Sequence, residues 1–236
     1  MKDLIIVTGA NGRFAKVLKK KNTKLNLVFL NKNELNILDT KSIKKNILKY
    51  KPKIIIHTAG LSRPMETHYK NIKKSIDLNI IGTANIVKMC EQFKIKIIYF
   101  STGYVYEGKK GNYSENDPVK PINNYALSKL GGECSVSMYI NSLILRITMT
   151  EKPFVHKKAY YNVNSNFMFH DELVEILPHI LKQKGILNIG GDEQSIYNFA
   201  KKFNPNTKRI KATKKLKIPL KQTMNLSLLK KILKKK

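Results

Sequence analysis

The chain has 236 residues, enough for one sizeable hydrophobic core or for a core with a small appended lobe. No apolar run approaches the ~20 residues of a membrane span, and the two cysteines, Cys90 and Cys134, lack metal-ligand spacing and suit a reducing compartment. We therefore expect a cytoplasmic protein with no membrane segment, disulfide or metal. The formal charge of +29 comes from 41 Lys but only four Arg, and lysine spread along the chain does not indicate a specific nucleic-acid site.

The first 150 residues alternate short β-rich runs with helical stretches. In chain order they predict a strand over 4–9, a helix over 15–21, a strand over 25–30, a helix over 40–50 capped by Asp39, a strand over 53–60, one or two helices over 71–93, a strand over 96–102, a helix over 125–138 and a strand over 142–148. Strands and helices at this spacing form right-handed βαβ units. The fold class is therefore α/β, with a doubly wound parallel sheet of the Rossmann type.

The remaining residues have a different character. We predict an irregular segment over 151–170, a helix over 171–182, a late strand over 185–191, a helix over 195–203, a loop or linker over 207–219 and a terminal helix over 224–236. The expected organisation is a dinucleotide-binding Rossmann domain over 1–150 and a short substrate-binding lobe over 151–236.

A glycine-containing loop follows the first predicted strand and opens the first helix. Gly9 allows a tight turn there, and Gly12 lets the backbone approach a pyrophosphate. The helix start supplies amide donors and a positive dipole. Ala15 stands where the usual pattern has a third glycine, and a small residue is enough at that position. The loop, with Asn11 between its glycines, is therefore predicted to bind the phosphates of a dinucleotide.

The end of the second predicted strand bears on the choice of dinucleotide. An acid at this point would hold a ribose 2′-hydroxyl and repel a 2′-phosphate, but the chain has Asn31 and Lys32 instead. This favours NADP(H), with NAD(H) as the alternative. A few residues later, Asn36 and Ile37 are expected to flank the adenine by a hydrogen bond and by packing.

Tyr125 and Lys129 form a Tyr-x-x-x-Lys pair on a predicted helix. Side chains four residues apart share a helix face, and an ammonium beside a phenol lowers the tyrosine pKa. The tyrosine can then exchange a proton with a substrate oxygen. Thr102 ends a predicted parallel strand, where ligands bind in open α/β sheets, and is expected to hydrogen-bond the reacting oxygen.

Several stretches together resemble the extended short-chain dehydrogenase/reductase family, and within it the dTDP-4-dehydrorhamnose reductase branch. The long ordered run STGYVYEGKKGNYSENDPVKPINNYALSKLGGE over 101–133 is the most specific of them. The others are TGANGRFA (8–15), NELNILD (33–39), HTAG (57–60), DLNIIGTANIV (77–87) and LILRIT (143–148), with weaker likeness in GILNIGG and MNLSLLKKIL towards the end.

The resemblance implies roles for individual residues. It makes Tyr125 the proton donor, Lys129 its electrostatic partner and Thr102 the hydroxyl that orients a ketone. Asn79 would hold the water network of the lysine or brace the helix. Residues implied to contact the cofactor are Gly9, Gly12, Arg13 and Phe14 on the loop, Thr58, Ala59 and Gly60 beside it, and Tyr125 and Lys129 at its reacting end.

The residues after Thr102 narrow the choice between possible reactions. Sugar dehydratases of this superfamily have an acid pair there, but this chain has Gly103 and Tyr104, which argues against 4,6-dehydration. The predicted function is NADP(H)-dependent reduction of a nucleotide-linked 4-keto-6-deoxy sugar. Besides Thr102, the residues expected to meet this substrate are Ser62, Arg63, Gly103, Tyr104 and Arg146.

Three alternatives stay open. An epimerase that passes through a transient ketone uses the same residues. The short second lobe suits a non-catalytic NADP-binding regulatory subunit, and the charge suits a polyanion-binding protein. The expected partner is the nucleotide-sugar substrate, without a specific nucleic acid or a membrane, and a homodimer is one option for the assembly.

Overall fold

A computed structural model describes residues 3–22 and 24–234. The first part of the chain contains β1 (Leu4–Thr8), α1 (Arg13–Lys21), β2 (Asn26–Leu30), α2 (Thr40–Tyr50), β3 (Ile54–His57), α3 (Thr67–Lys70), α4 (Ile72–Ile76), a π-helical turn (Asp77–Ile81), α5 (Gly82–Gln92), β4 (Lys96–Phe100), a 3-10 turn (Gly103–Val105), α6 (Asn124–Ser137) and β5 (Ser142–Ile147). The second part contains β6 (Met149–Thr150), β7 (Lys158–Tyr160), β8 (Asn164–Ser165), β9 (Met168–Phe169), α7 (His170–Ile180), β10 (Gly185–Ile189), β11 (Gln194–Ser195), α8 (Ile196–Phe203), β12 (Lys208–Ile210), a 3-10 turn (Lys214–Leu216) and α9 (Ser227–Lys234).

Six strands form one parallel sheet in the order β10-β5-β4-β3-β1-β2. Helices α1, α7 and α9 cover one face of the sheet, and α2, α5 and α6 cover the other, each over its own apolar cluster. Strands buried on both faces read as continuous apolar runs, as Ile54–His57 does. The doubly wound Rossmann-type sheet predicted from the sequence is confirmed.

The sheet places the ends of β1 and β3 side by side. Thr8 pairs with His57 across these two strands, and β1 also pairs with β2 on its other side. The chain thus passes from β1 to β2 on one side of β1. It then crosses to the other side of β1, where β3 is followed by β4. Ligands of open α/β sheets bind in the crevice at such a switch point, at the carboxyl ends of the strands.

The part of the chain after residue 150 is less separate than the predicted boundary suggests. Its α7 packs on α1, and its β10 pairs with β5 as an outer strand of the main sheet. The small lobe proper is made of three two-stranded pairings, β11 with β8, β12 with β7 and β6 with β9, around a cluster that includes Phe169 and Phe199.

Two local predictions were wrong. Residues 151–170, expected to be irregular, contain three short strands, and the expected linker over 207–219 contains β12, which pairs with β7. The predicted terminal helix starts later, at Ser227, and residues 235–236 lie outside the described part of the chain. Among the described residues, no helix is long and apolar enough to cross a membrane.

Candidate active site

The loop between β1 and α1 has the geometry of an anion cradle. Gly9 has a φ of +72°, and a Cβ built on it would lie 2.8 Å from the Ala59 Cα, so both the turn and the close approach of the two loops require glycine. Gly12 is the N-cap of α1, and no described side chain caps that helix start or places an acid in its first turn. The amide donors there are thus left for a ligand, which fits the phosphates of a dinucleotide.

The loop after β3 closes the other side of this cradle. The Thr58 hydroxyl donates to the Thr8 carbonyl over 2.6 Å, and the Ala59 amide donates to the Thr8 hydroxyl over 3.2 Å. His57 lies beneath, hydrogen-bonded to the hydroxyls of Thr8 and Thr83 at 2.9 and 3.2 Å. Burial lowers the pKa of His57 to about 3, so this histidine is neutral and braces the two strand ends.

The residues predicted at the ribose 2′-position and at the adenine lie in local turns. The Asn31 side-chain oxygen accepts from the amides of Asn33 and Glu34, and the Asn36 side-chain oxygen accepts from the Leu38 amide. Lys32 is exposed.

The side chains of two residues predicted at the cofactor lie in the interior. Phe14 is 4% exposed and packs on Phe100 with 4.9 Å between ring centroids, so its ring belongs to the core. Ile37 is buried, and its side chain fills the space above Gly82, where a Cβ would lie 2.5 Å from the Ile37 Cδ1. Both side chains therefore pack in the interior, and the packing expected between Ile37 and the adenine stays a prediction.

Thr102 and Tyr125 meet at the carboxyl end of β4. Thr102 is the N-cap of the following 3-10 turn, and its hydroxyl accepts from the Tyr104 amide over 3.2 Å. Tyr125 lies in the first turn of α6, whose N-cap Asn123 accepts from the Ala126 amide. Burial raises the pKa of Tyr125, against the lowering effects of a hydrogen bond with Thr102 and of the positive charges of Arg63 and Arg13. At neutral pH, Tyr125 is therefore a protonated donor.

Two aromatic rings pack against the Tyr125 ring. Tyr104 lies edge-on to it with 6.0 Å between centroids, and His68 lies edge-on at 5.2 Å. The Nδ1 of His68 is 2.7 Å from the Ser75 hydroxyl, and burial lowers the pKa of this histidine. Gly103 adds to the tight packing here, because a Cβ on it would lie 2.9 Å from the Thr148 hydroxyl.

Lys129 lies one helical turn after Tyr125, as predicted, but its ammonium is 4.1 Å from the ring centroid of Tyr99. Burial lowers the pKa of Lys129 to about 7, and the nearby Glu133 carboxylate opposes this effect. The lowering of the Tyr125 pKa expected from Lys129 does not occur: burial raises that pKa, and the effects that oppose the rise come from Thr102, Arg63 and Arg13. Lys129 therefore lies at the site with its amino group desolvated and only partly protonated at neutral pH.

Asn79 connects the loop after β3 to α6. Its side chain exchanges two hydrogen bonds with the backbone of Leu61, at 2.7 and 2.8 Å, and donates to the Ser128 hydroxyl over 2.8 Å. It lies in the π-helical turn, a local widening that is common at functional sites. These contacts brace α6 in the register that brings Tyr125 to Thr102.

Arg146, predicted at the substrate, is buried, and its guanidinium is bound by protein groups. Its guanidinium donates to Glu133 Oε1 through Nε and NH2, at 3.0 and 2.5 Å, and through NH1 to the Tyr106 hydroxyl at 2.9 Å. The other oxygen of Glu133 accepts from the Ser101 hydroxyl over 2.5 Å. This cluster joins β4, α6 and β5 beneath the site.

Glu151 makes a second carboxylate–arginine cluster at the mouth of the crevice. Its Oε1 accepts from Arg13 over 2.7 Å, and both of its oxygens accept from Arg63 NH1 over 3.2 Å. Arg13 also donates to the Ser62 hydroxyl over 3.0 Å. The cluster therefore connects the start of α1 with the segments after β3 and β6. It brings together Arg13, predicted at the cofactor, with Ser62 and Arg63, predicted at the substrate.

Three residues of the site were not predicted from the sequence: His68, Glu133 and Glu151. Glu133 carries a usable signal, because it continues the four-residue spacing of Tyr125 and Lys129 on one helix face. His68 lies in the short helix α3 and Glu151 directly follows β6, and both contact residues that are distant in sequence.

The sequence from residue 1 to residue 156 matches the family described as RmlD substrate binding domain. The chain belongs to this family. The match confirms the resemblance to the dTDP-4-dehydrorhamnose reductase branch.

Curated relatives of this RmlD-family chain bear two kinds of name. Methionine adenosyltransferase 2 subunit beta of Danio rerio is 29% identical over 153 residues, covering 61% of this chain and 46% of that protein. The dTDP-4-dehydrorhamnose reductase of Aggregatibacter actinomycetemcomitans is 25% identical over 194 residues, covering 80% of this chain and 60% of that protein. The matched part spans less than two thirds of the length of these relatives.

Solved structures confirm the fold. The dTDP-4-dehydrorhamnose reductase of Bacillus anthracis in complex with NADP superimposes with a TM-score of 0.85 at 21% identity, covering 98% of this chain and 91% of that one. The Bordetella bronchiseptica enzyme WbmG in complex with NAD gives a TM-score of 0.76 at 15% identity, covering 98% and 87%.

Proposed function

We propose that this RmlD-family chain is an NADP(H)-dependent reductase of a nucleotide-linked 4-keto-6-deoxy sugar. The observation that carries the proposal is the meeting of the Thr102 and Tyr125 hydroxyls at the carboxyl end of β4, beside a glycine cradle suited to dinucleotide phosphates. Donors aimed at one point next to a cofactor loop are what ketone reduction requires.

The chain's own residues hold the ketone and provide the proton. Thr102 orients the ketone oxygen by a hydrogen bond, and Tyr125 donates its proton to that oxygen. The raised pKa of Tyr125 keeps the proton on the phenol at neutral pH, which suits a donor in the direction of reduction. NADP(H), when bound, supplies the hydride.

NADP(H) is favoured as the cofactor by two observations. The second strand ends in Asn31 and Lys32, so no acid repels a 2′-phosphate there. The Bacillus anthracis reductase of the same fold binds NADP. NAD(H) is the alternative, since WbmG binds NAD.

The test is consumption of NADPH with a dTDP-linked 4-keto-6-deoxyhexose. Tyr125→Phe removes only the donated proton, so we expect turnover to fall by about 10²–10⁴-fold, the usual contribution of a positioned acid. NADPH affinity, measured by calorimetry, should stay within about twofold. Unchanged turnover in the variant would refute the role of Tyr125, and absence of NADPH oxidation by the wild type would refute the reductase function.

A second candidate is a non-catalytic NADP(H)-binding regulatory subunit. It is favoured by the relatives named methionine adenosyltransferase 2 subunit beta, which match this chain at 29–34% identity over 102–153 residues. NADPH binding without turnover on any keto sugar nucleotide, together with co-purification of a partner enzyme, would favour this candidate over the reductase.

A further inference from the structure

The carboxylate of Glu151 occupies a position between two arginines that a ligand anion could otherwise use. Arg13 belongs to the cradle that the proposed function assigns to dinucleotide phosphates, and its NH1 donates to Glu151 Oε1 over 2.7 Å. One carboxylate faces two guanidinium groups, so the cluster keeps a net positive charge. Arg63 holds the same carboxylate through both of its oxygens.

Glu151 cannot give up its negative charge under ordinary conditions. Burial raises the pKa of Glu151, but a hydrogen bond from its own backbone amide, the positive charges of Arg63 and Arg13 and the hydrogen bond from Arg13 outweigh this and hold the pKa at about 2. A phosphate that approaches Arg13 therefore meets an ionised competitor at every pH near neutrality.

The cluster is open enough for an exchange of partners. The side chains of Arg13, Arg63 and Glu151 are 40%, 36% and 21% exposed, whereas those of Arg146 and Glu133 are 5% and 4% exposed. After release from Arg13, Glu151 would still have Arg63 and the Thr150 hydroxyl, which donates to Oε2 over 3.2 Å. The carboxylate is thus not left unpaired when Arg13 turns to a ligand.

We propose that Glu151 is a built-in competitor for Arg13 and sets the affinity of the crevice for the phosphates of its dinucleotide. The inference rests on the proposed function in taking NADP(H) as the ligand. It assigns to Glu151 an affinity-determining role that neither the glycine loop nor the catalytic residues supply.

The test is calorimetric titration of the purified chain with NADPH at fixed salt. Glu151→Gln keeps the shape of the side chain and removes the competitor, so we expect binding to tighten by about two- to fivefold, the equivalent of one exposed ion pair. Asp171→Asn is the matched control. It removes the same charge from a carboxylate that pairs with Lys21 at 3.1 Å rather than with the crevice arginines, and its effect should be smaller.

A double-variant cycle locates the competition at Arg13. In an Arg13→Gln background, the gain from Glu151→Gln should disappear, because no contested partner remains. If wild type binds NADPH, unchanged or weaker NADPH binding by Glu151→Gln would overturn the inference. So would an equal gain in Asp171→Asn, or a gain that persists without Arg13.

Inorganic pyrophosphate separates this inference from the proposed function. If pyrophosphate binds Glu151→Gln more tightly than wild type while NADPH binds neither, the competitor role stands and the dinucleotide function fails. Tighter NADPH binding without turnover on any keto sugar nucleotide keeps the competitor role and removes the reductase. If neither probe binds either protein, both proposals are overturned.

Discussion

Two carboxylate–arginine clusters flank the candidate active site, and they differ in burial. Glu133 and Arg146 are enclosed beneath Thr102, with additional bonds from Ser101 and Tyr106. Glu151 lies at the mouth of the crevice, with both of its arginines more than a third exposed. The enclosed pair holds strands and helix together, while the open cluster can exchange its partners. The same two residue types therefore perform different tasks according to their access to water.

The largest expected effect is on the enclosed pair. Glu133→Gln leaves the Arg146 guanidinium buried without its counter-charge, and we expect a loss of about 3–5 kcal/mol in the free energy of unfolding. Urea titration followed by circular dichroism measures it. A loss below about 1 kcal/mol would mean that the pair behaves like a surface ion pair, and the distinction between the clusters would fail.

An intermediate effect of opposite sign is expected at Lys129, between the two clusters. Its ammonium is desolvated and has a pKa of about 7 in the folded chain against 10.5 ordinarily, so protonated Lys129 destabilises the fold. The penalty is fully present below pH 7 and disappears as the pH rises towards 10.5. Lys129→Met should therefore stabilise the ligand-free chain by about 0.5–2 kcal/mol near pH 6.

Thermal unfolding at pH 6 and pH 10 measures this effect. The gain from Lys129→Met should be clear at pH 6 and small at pH 10, whereas a gain of equal size at both would show that lost charge is not its cause.

The smallest effect on stability is expected at the open cluster. Because its arginines are exposed and screened, Glu151→Gln should cost less than about 1 kcal/mol at neutral pH. The pKa of Glu151 lies at about 2, below its ordinary 4.5. Its contribution is thus present above pH 4.5 and lost as the pH falls towards 2. Unfolding midpoints of wild type and variant should converge over this acid range, and a constant difference would contradict the assignment.

Sequence patterns were sufficient to predict features that depend only on residues close together in the chain. The glycine loop, the capped helix beginning at Thr40 and the Tyr125–Lys129 spacing were predicted from neighbouring residues, and Asp39 does accept from the Lys41 amide at 2.9 Å. Continuous apolar runs likewise predicted the strands of the main sheet, since a strand covered on both faces needs no polar alternation.

Sequence patterns were insufficient where burial, or contacts between residues far apart in the chain, determine the position of a side chain or the existence of a strand. Arg146 was expected at the substrate because an arginine suits a diphosphate, but its neighbour Glu133 is 13 residues away on another element. Strands of two or three residues, such as β7 and β12, are too short to show a period and exist only because they pair with each other. Glu151 meets Arg13 across 138 residues, a distance that no local pattern spans.

The most direct test of the central claim is transfer of deuterium from [4,4-²H₂]NADPH to the sugar, followed by mass spectrometry of the nucleotide sugar. If Thr102 and Tyr125 act on a ketone, wild type should give a reduced sugar that carries one deuterium. Tyr125→Phe should give little labelled sugar within the same time. Sugar that remains unreduced and unlabelled with NADPH-bound wild type would contradict the account and favour a regulatory subunit.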